Sequence, residues 1–380
     1  MSNDALPLAS RGARSHLLKR FVRLGIQSAA IAAITFGLAE VTVRLCRWLV
    51  PSALPSVIFY DQSYNRYRGR PGAPDYDFRL NSSGFKDVEF APKKASGTYR
   101  ILGIGDSFAF GVVPYEHNYL TLTERRLNEA GLSGEILNMG IPGIGPQDYL
   151  ALLANEGLQL EPDMVVVSFF VGNDFSETMR WRTRLHELSA VLALIKYVID
   201  TRTKFDGQVF HRQASYDDDA AFFKDSTYLE VEKERSWVFL KPPPHSEAFS
   251  DAVDYLSRIH ALCKQRAISL LVLLIPDELQ VNSQLQSRVI SALGRTAADF
   301  DFVRPNRFLV EQLRAKGIES LDLLPAFAER SIDTPLYKPN DSHWNISGNK
   351  LAADLLERHL FTLLNAQTAG ANGPPITRSR

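Results

Sequence analysis

The chain is poor in cysteine and carries no excess of either charge. Only two cysteines occur in 380 residues, Cys46 and Cys263. No disulfide framework or cysteine-rich metal site therefore holds it together. Cys46 stands beside an apolar stretch near the N-terminus, and no pairing with Cys263 is expected. Lys plus Arg balance Asp plus Glu at 43 each, which leaves no global field to draw in nucleic acid or an acidic polymer. Zinc-finger spacing, a phosphate-binding loop and a GxGxxG dinucleotide turn are all missing. What remains is ordinary globular composition, over a length that allows one large domain with appendages or two modest ones.

Charge is also missing from Leu24 to Ala39, and only Glu40 interrupts the run as far as Val43. Twenty helical residues reach about 30 Å, the hydrocarbon thickness of a bilayer. Arg11, Arg14, Lys19, Arg20 and Arg23 precede the run against a single acid, Asp4. Residues 1–23 then read as a cytoplasmic basic lead and 24–43 as a transmembrane anchor that sends the rest outward. A removable signal peptide is one alternative, and a buried or interfacial helix is another, because sixteen uncharged residues are few. Glu40 and Arg44, one turn apart, are placed to pair with each other.

Residues 51–97 lack helical periodicity and read as a connector that ends by draping over the next domain, around Phe78–Asp87, with a turn at Gly84. From Thr98 short apolar runs alternate with helical stretches. The strands are expected at Arg100–Gly103, Glu135–Asn138, Met164–Phe170, Ser269–Ile275 and Ser320–Leu323. Helices are expected at Leu120–Ala130, Gln147–Gly157, Ala248–Arg266 and Arg307–Lys316. Runs without polar alternation suit parallel strands covered on both faces, so the fold class is α/β with a doubly wound sheet. Its site belongs at the strand C-terminal ends.

The domain at 98–364 is broken by an insertion, 175–245, far longer than an ordinary crossover. That insertion holds an apolar helical stripe (Leu188, Val191, Leu192, Ile195, Val198, Ile199) and an acidic triplet, Asp217–Asp219. It is either a cap over the site or a packing insertion. The triplet reads most simply as a solvated loop. Residues 365–380 have the composition of a disordered tail.

Three strings carry the chemistry: Gly105-Asp106-Ser107, Gly172-Asn173-Asp174 and Asp341-Ser342-His343. The first two sit where apolar runs end. Ser107, at a strand-to-helix turn, has a hydroxyl at the sheet edge with helix N–H groups nearby, although such a serine is more often a helix N-cap. The Asn173 amide can donate to an oxyanion, or serve only its turn. His343 has Asp341 two residues before it to hold one tautomer. His16, by contrast, belongs to the basic lead, and His260 and His359 lie in helical segments. Three glycines, Gly140, Gly143 and Gly145, follow Asn138. No metal or cofactor is called for.

In this order the strings resemble the SGNH, or GDSL-type, hydrolase superfamily over roughly Thr98 to Leu364. The resemblance implies a three-layer α/β/α sandwich with a five-stranded parallel sheet. It implies Ser107 as nucleophile and His343 as base, with Asn173, the Ser107 N–H and the Gly143 N–H as oxyanion hole. Many members place the acid three residues before the histidine, where this chain has Asn340. Asp341 at minus two is similar to the alginate O-acetyltransferase type, as is Pro276–Val281. The expected function is a serine esterase acting on an acyl ester or O-acylated carbohydrate, anchored in the bacterial inner membrane and facing outward. The alternatives are an O-acyltransferase on a polysaccharide, a silent glycan-binding component, and a cytoplasmic lipase-like enzyme with a peripheral helix.

Overall fold

The computed structural model describes residues 9–49, 68–177, 189–192, 194–195 and 216–370. Asp4, Leu188, Val198, Ile199, the first part of the connector and the last ten residues of the tail lie outside the described residues, as do the side chains of Arg11, Arg14 and His16. The chain divides into two compact units, Met1–Pro55 with Thr183–Val198, and Ser56–Arg182 with Ile199–Arg380.

In the first unit a single helix, α1, runs Ala9–Leu49. Within it Lys19–Cys46 is long and apolar enough to cross a membrane, with a mean hydropathy of 1.6. Glu40, the acid that breaks the run, is fully partnered. Its carboxylate accepts from Arg44 Nε at 2.7 Å, Ser189 Oγ at 2.8 Å, and the Ala190 and Val191 amides at 2.8 and 3.0 Å. The described start of the insertion's apolar stripe thus docks on α1. A carboxylate shared between a guanidinium and backbone N–H groups costs far less in apolar surroundings than a bare one.

The second unit opens with a small hairpin, β1 (Pro74–Asp75) and β2 (Phe78–Arg79), and a turn at Gly84. Then come β3 (Tyr99–Gly105), α2 (Ser107–Phe110), α3 (Tyr119–Glu129), β4 (Gly134–Asn138), α4 (Pro146–Asn155), β5 (Met164–Phe170) and α5 (Asp174–Glu177). Within the insertion lies α6 (Asp225–Arg235), and after it follow α7 (Glu247–Gln265), β6 (Ser269–Ile275), α8 (Glu278–Val281), α9 (Ser283–Ala292), α10 (Arg304–Ala315), β7 (Glu319–Asp322), α11 (Leu324–Arg330) and α12 (Ile346–Gly370).

Five strands form one parallel sheet in the order β4-β3-β5-β6-β7. The strands are apolar on both faces because both faces are covered. Val165, Val167, Leu270 and Val272 meet α4, α7 and α10 on one side. On the other, Val166, Leu271 and Leu273 meet α3, α11 and α12. Each fully buried valine or leucine stabilises the fold by about 1.5–3 kcal/mol. Helix α7 shows the matching pattern, with Phe249, Ala252, Val253, Leu256, Ile259 and Cys263 buried at helical spacing. The three-layer sandwich is as expected.

Strand order reverses between β3 and β5, and the crevice beyond their C-terminal ends is where such sheets bind ligands. One expectation fails at the C-terminus. α12 continues six residues past Leu364 to Gly370, where disorder was expected. Asn365-Ala-Gln-Thr-Ala extends the helix with residues that include good helix formers before a glycine.

Candidate active site

Ser107 follows β3 after a single intervening residue. That residue, Asp106, is the N-cap of α2, its Oδ1 accepting from the Phe108 amide at 2.9 Å. The capping duty that commonly occupies such a serine has passed to its neighbour. Ser107 is the first helical residue, and its Oγ lies 2.7 Å from His343 Nε2. Asp106 is wholly buried, and burial raises its carboxyl above the usual range; the Phe108 amide and then the nearby His343 act against that rise.

His343 hangs on a tight loop closed by an antiparallel bridge between Tyr337 and Trp344. The Lys338 amide donates to the His343 carbonyl at 3.0 Å, and the Asp341 amide to the Lys338 carbonyl at 3.1 Å. Asn340 takes φ +47°, a left-handed angle asparagine tolerates. This shape brings Asp341 under the ring: its Oδ1 lies 2.5 Å from His343 Nδ1 and accepts the His343 amide at 3.1 Å. Asp341 is buried. With the proton held on Nδ1 by that carboxylate, Nε2 is left to accept from a hydroxyl. Trp344 packs against Phe108 and Phe327, each at 4.9 Å, and fixes the loop's floor. The acid at minus two, not Asn340, is the residue that meets the imidazole.

The loop after β4 continues alongside β3, with the Met139 amide on the Gly103 carbonyl and the Ile141 amide on the Gly105 carbonyl. Gly140 is there for close approach: a Cβ would lie 2.1 Å from the Phe110 amide nitrogen. Gly143, two residues past Ile141, adopts φ +73°, which side chains rarely adopt. The two glycines thus divide the work, one packing and one turning.

In Gly172-Asn173-Asp174 the aspartate holds the turn. Asp174 Oδ2 accepts the Phe170 amide at 3.0 Å, and both carboxyl oxygens accept from Tyr149 OH at 3.0 Å. Burial, and then the charge of Asp106, pushes the Asp174 carboxyl well above the ordinary range. The Asn173 side-chain amide bonds to the Asp106 carboxyl, and its Oδ1 has no hydrogen-bond partner among the described residues. Among those residues no cluster of three or more His, Cys, Asp or Glu is placed to hold a metal ion.

Residues 234–373 match the family model of an SGNH hydrolase-like domain, acetyltransferase AlgX. This part of the chain is SGNH hydrolase-like. The matched segment includes Asp341 and His343, while Ser107, Gly143 and Asn173 precede it. Among curated proteins, none matches the sequence. Solved structures with a similar chain path include an acetyl xylan esterase, AlAXEase, at 15% identity and TM-score 0.38, covering 69% of this chain and 99% of that one. Another is Axe2, an acetylxylan esterase from Geobacillus stearothermophilus, at 13% identity and TM-score 0.40, covering 74% and 97%. A lipase/acylhydrolase from Enterococcus faecalis gives 15% identity and TM-score 0.37, covering 69% and 95%. Likenesses this distant say nothing of substrate.

Several residues around the site have contacts that the sequence did not assign to them. Asp277, in the Pro276–Val281 stretch, caps α8 through the Leu279 amide at 2.8 Å. Its other oxygen lies where a Cβ on Gly172 would be, 2.2 Å away, so it presses on the turn that carries Asn173. Beside it are Glu232, which is buried and whose carboxyl is raised well above the usual range by burial and then by the Asp277 charge, and the half-buried Arg235. The acidic triplet is more than a solvated loop. Asp218 Oδ1 accepts from Tyr216 OH at 2.5 Å and from the Ile346 amide at 3.1 Å, while the Asp217 carbonyl accepts from Lys338 Nζ. With the Phe223 amide on the Asn340 carbonyl, residues 216–223 brace the loop that holds His343. His359, expected in a helical segment, lies on α12 with its Nε2 3.1 Å from Glu319.

Proposed function

We propose that this chain is a serine-dependent acyl-ester enzyme. The observation that carries the reading is the unbroken relay from Ser107 Oγ through the His343 ring to Asp341, with contacts of 2.7 and 2.5 Å. Ser107 attacks the ester carbonyl while His343 Nε2 takes its proton. Asp341 stabilises the imidazolium that forms. Negative charge on the carbonyl oxygen is met by the Ser107 and Gly143 amides and the Asn173 side chain. The alcohol leaves with the proton from His343, and a second hydroxyl, from water or a sugar, reverses the steps to release the acyl group.

Hydrolysis is the leading reaction. Transfer to a polysaccharide hydroxyl is the second reading, favoured by the match of residues 234–373 to the acetyltransferase AlgX domain. A silent binding component has no use for a serine, a histidine and a buried aspartate in hydrogen-bond contact. We place the enzyme as a single-pass protein of a bacterial inner membrane, held by the apolar helix, with its basic lead inside and its site outside.

The test uses the full chain in detergent. A fluorophosphonate probe should label it, and Ser107→Ala should abolish both labelling and p-nitrophenyl acetate turnover; labelling that survives the change removes Ser107 as nucleophile. Acyl transfer from a donor ester, with and without oligosaccharide acceptors, separates the two reactions by product. Alkaline phosphatase fused after Val50 should be active in cells, and an inactive fusion overturns the outward orientation.

A further inference from the structure

The helix that carries Ser107 has four residues. So short a helix cannot hold itself, since nucleation costs more than its few hydrogen bonds return. Its last carbonyls are partnered from elsewhere. Asn138 Nδ2 donates to the Ala109 carbonyl at 2.7 Å, and Asn118 Nδ2 to the Ala109 and Phe110 carbonyls at 3.0 and 3.1 Å. Lys86, 1% exposed, donates from Nζ to the Gly111 carbonyl at 2.8 Å and the Val113 carbonyl at 2.5 Å. The same ammonium pairs with Asp75 of β1.

The next residue reaches the other side of the site. Asp87, 4% exposed, accepts the Asn138 amide on Oδ2 at 2.7 Å and Tyr115 OH on Oδ1 at 2.8 Å. Asn138 begins the glycine loop, and its Oδ1 accepts the Gly140 amide at 2.9 Å. One dipeptide of the connector therefore grips both the end of the nucleophile helix and the root of the loop that carries Gly143. Charged hydrogen bonds at buried backbone groups are strong and directional.

We propose that Lys86 and Asp87 are positioning residues for the acyl-transfer site, setting α2 and the Gly143 loop at the separation that oxyanion binding requires. The proposal rests on the serine-enzyme reading above. Neither side chain touches the ester. Both act through backbone, and an error of an ångström in such donors is enough to slow the chemical step.

The experiment compares full-length wild type, Asp87→Ala, Asp87→Asn, Lys86→Met and Arg68→Ala in detergent. Arg68 ties the connector to Glu156 and to the face of Phe85 but makes neither of the two backbone grips, so its loss reports on connector packing. Each protein is scored for folded fraction by thermal unfolding, for the fluorophosphonate labelling rate, and for kcat and KM on p-nitrophenyl acetate. Asp87→Ala and Lys86→Met should lose roughly 10- to 100-fold in kcat and labelling rate per folded molecule, with KM nearly unchanged. Asp87→Asn, which keeps an acceptor for the Asn138 amide, should recover most of the Asp87→Ala loss. Arg68→Ala should lower the unfolding temperature and leave kcat within about twofold. The proposal falls if kcat per folded molecule survives Asp87→Ala and Lys86→Met, or if Arg68→Ala costs as much as they do. An inactive, unlabelled wild type would instead overturn the serine-enzyme reading.

Discussion

Two regions hold this site, and they hold it by different physics. Two strand ends deliver Ser107 and Asn173 within three residues of β3 and β5, and the tight loop between α11 and α12 delivers His343. The connector delivers Lys86 and Asp87 from before the sheet begins, and these aim at backbone. A strand end needs only a residue or two to turn a side chain outward, so its chemistry stays compact in sequence. A backbone grip needs a long side chain or a buried carboxylate brought from afar, and its worth depends on dry surroundings where an unmet carbonyl or N–H is costly. The candidate reacting groups sit on short turns for the first reason, and a strap across the loops is a sensible companion for the second.

Changes at the candidate reacting groups should have the largest effects. Asp341→Asn keeps the shape of the loop but puts an amide beside His343 Nδ1, and kcat should fall about a thousandfold or more. Thermal unfolding should shift little in comparison, because the backbone bonds of the loop remain. A variant with near-normal turnover would show that the acid lies elsewhere. Asn173→Ala comes next, at about a hundredfold in kcat with little change in KM, because its amide is asked to act only as charge develops. An increase confined to KM would assign Asn173 to ground-state binding instead.

The same division explains what could be read from the residues alone. β5 and β6 are nearly continuous apolar runs with both faces covered, and the runs themselves locate them to the residue. Gly105-Asp106-Ser107 and Asp341-Ser342-His343 are legible as short strings, and the meeting of Ser107 with His343, 236 residues apart, was expected from the resemblance that the strings carry. Lys86 and Asp87 look like any solvated pair. Their burial follows from contacts with Gly111, Val113 and Asn138, far along the chain, which no local pattern encodes. Asp217–Asp219 misled for the same reason, since its partners, Lys338 and Ile346, lie more than a hundred residues away. The helix past Leu364 was hidden by a tail whose average composition is that of disorder.

The connector's grip should show in stability as well as rate. Burial pushes Asp87 up to about 6, against the pull of the Asn138 amide and Tyr115, with Glu135 also facing it. Glu124, whose carboxylate takes the Ile136 amide, is pushed up to about 7 by burial first and then by Asp87 and Glu135. Unfolded carboxyls titrate near pH 4. Between about pH 4 and these raised values the folded chain therefore binds more protons than the unfolded one, so stability is fullest at the acid end and falls as pH rises through 6 to 7. For Asp87 the loss is on the order of 3 kcal/mol. Unfolding free energies across pH 4.5 to 8 should fall less steeply in Asp87→Asn than in wild type. Parallel curves would mean that Asp87 does not sense the solvent pH as folded.

The smallest effect is expected one residue from the largest. Asn340 occupies the position where many relatives in the resemblance carry their acid, yet it supplies a left-handed angle and a carbonyl that accepts from the Phe223 amide. Glycine meets both needs, because it takes positive φ without strain and keeps the carbonyl. What glycine gains there it partly returns through a freer unfolded chain, a matter of about 0.5–1 kcal/mol. Asn340→Gly should therefore change kcat by less than about twofold and stability by less than about 1 kcal/mol. Set beside Asp341→Asn, it asks whether shape or charge is what each residue gives the histidine. A tenfold loss in Asn340→Gly, with Asp341→Asn active, would reverse the assignment and return the acid's place to minus three.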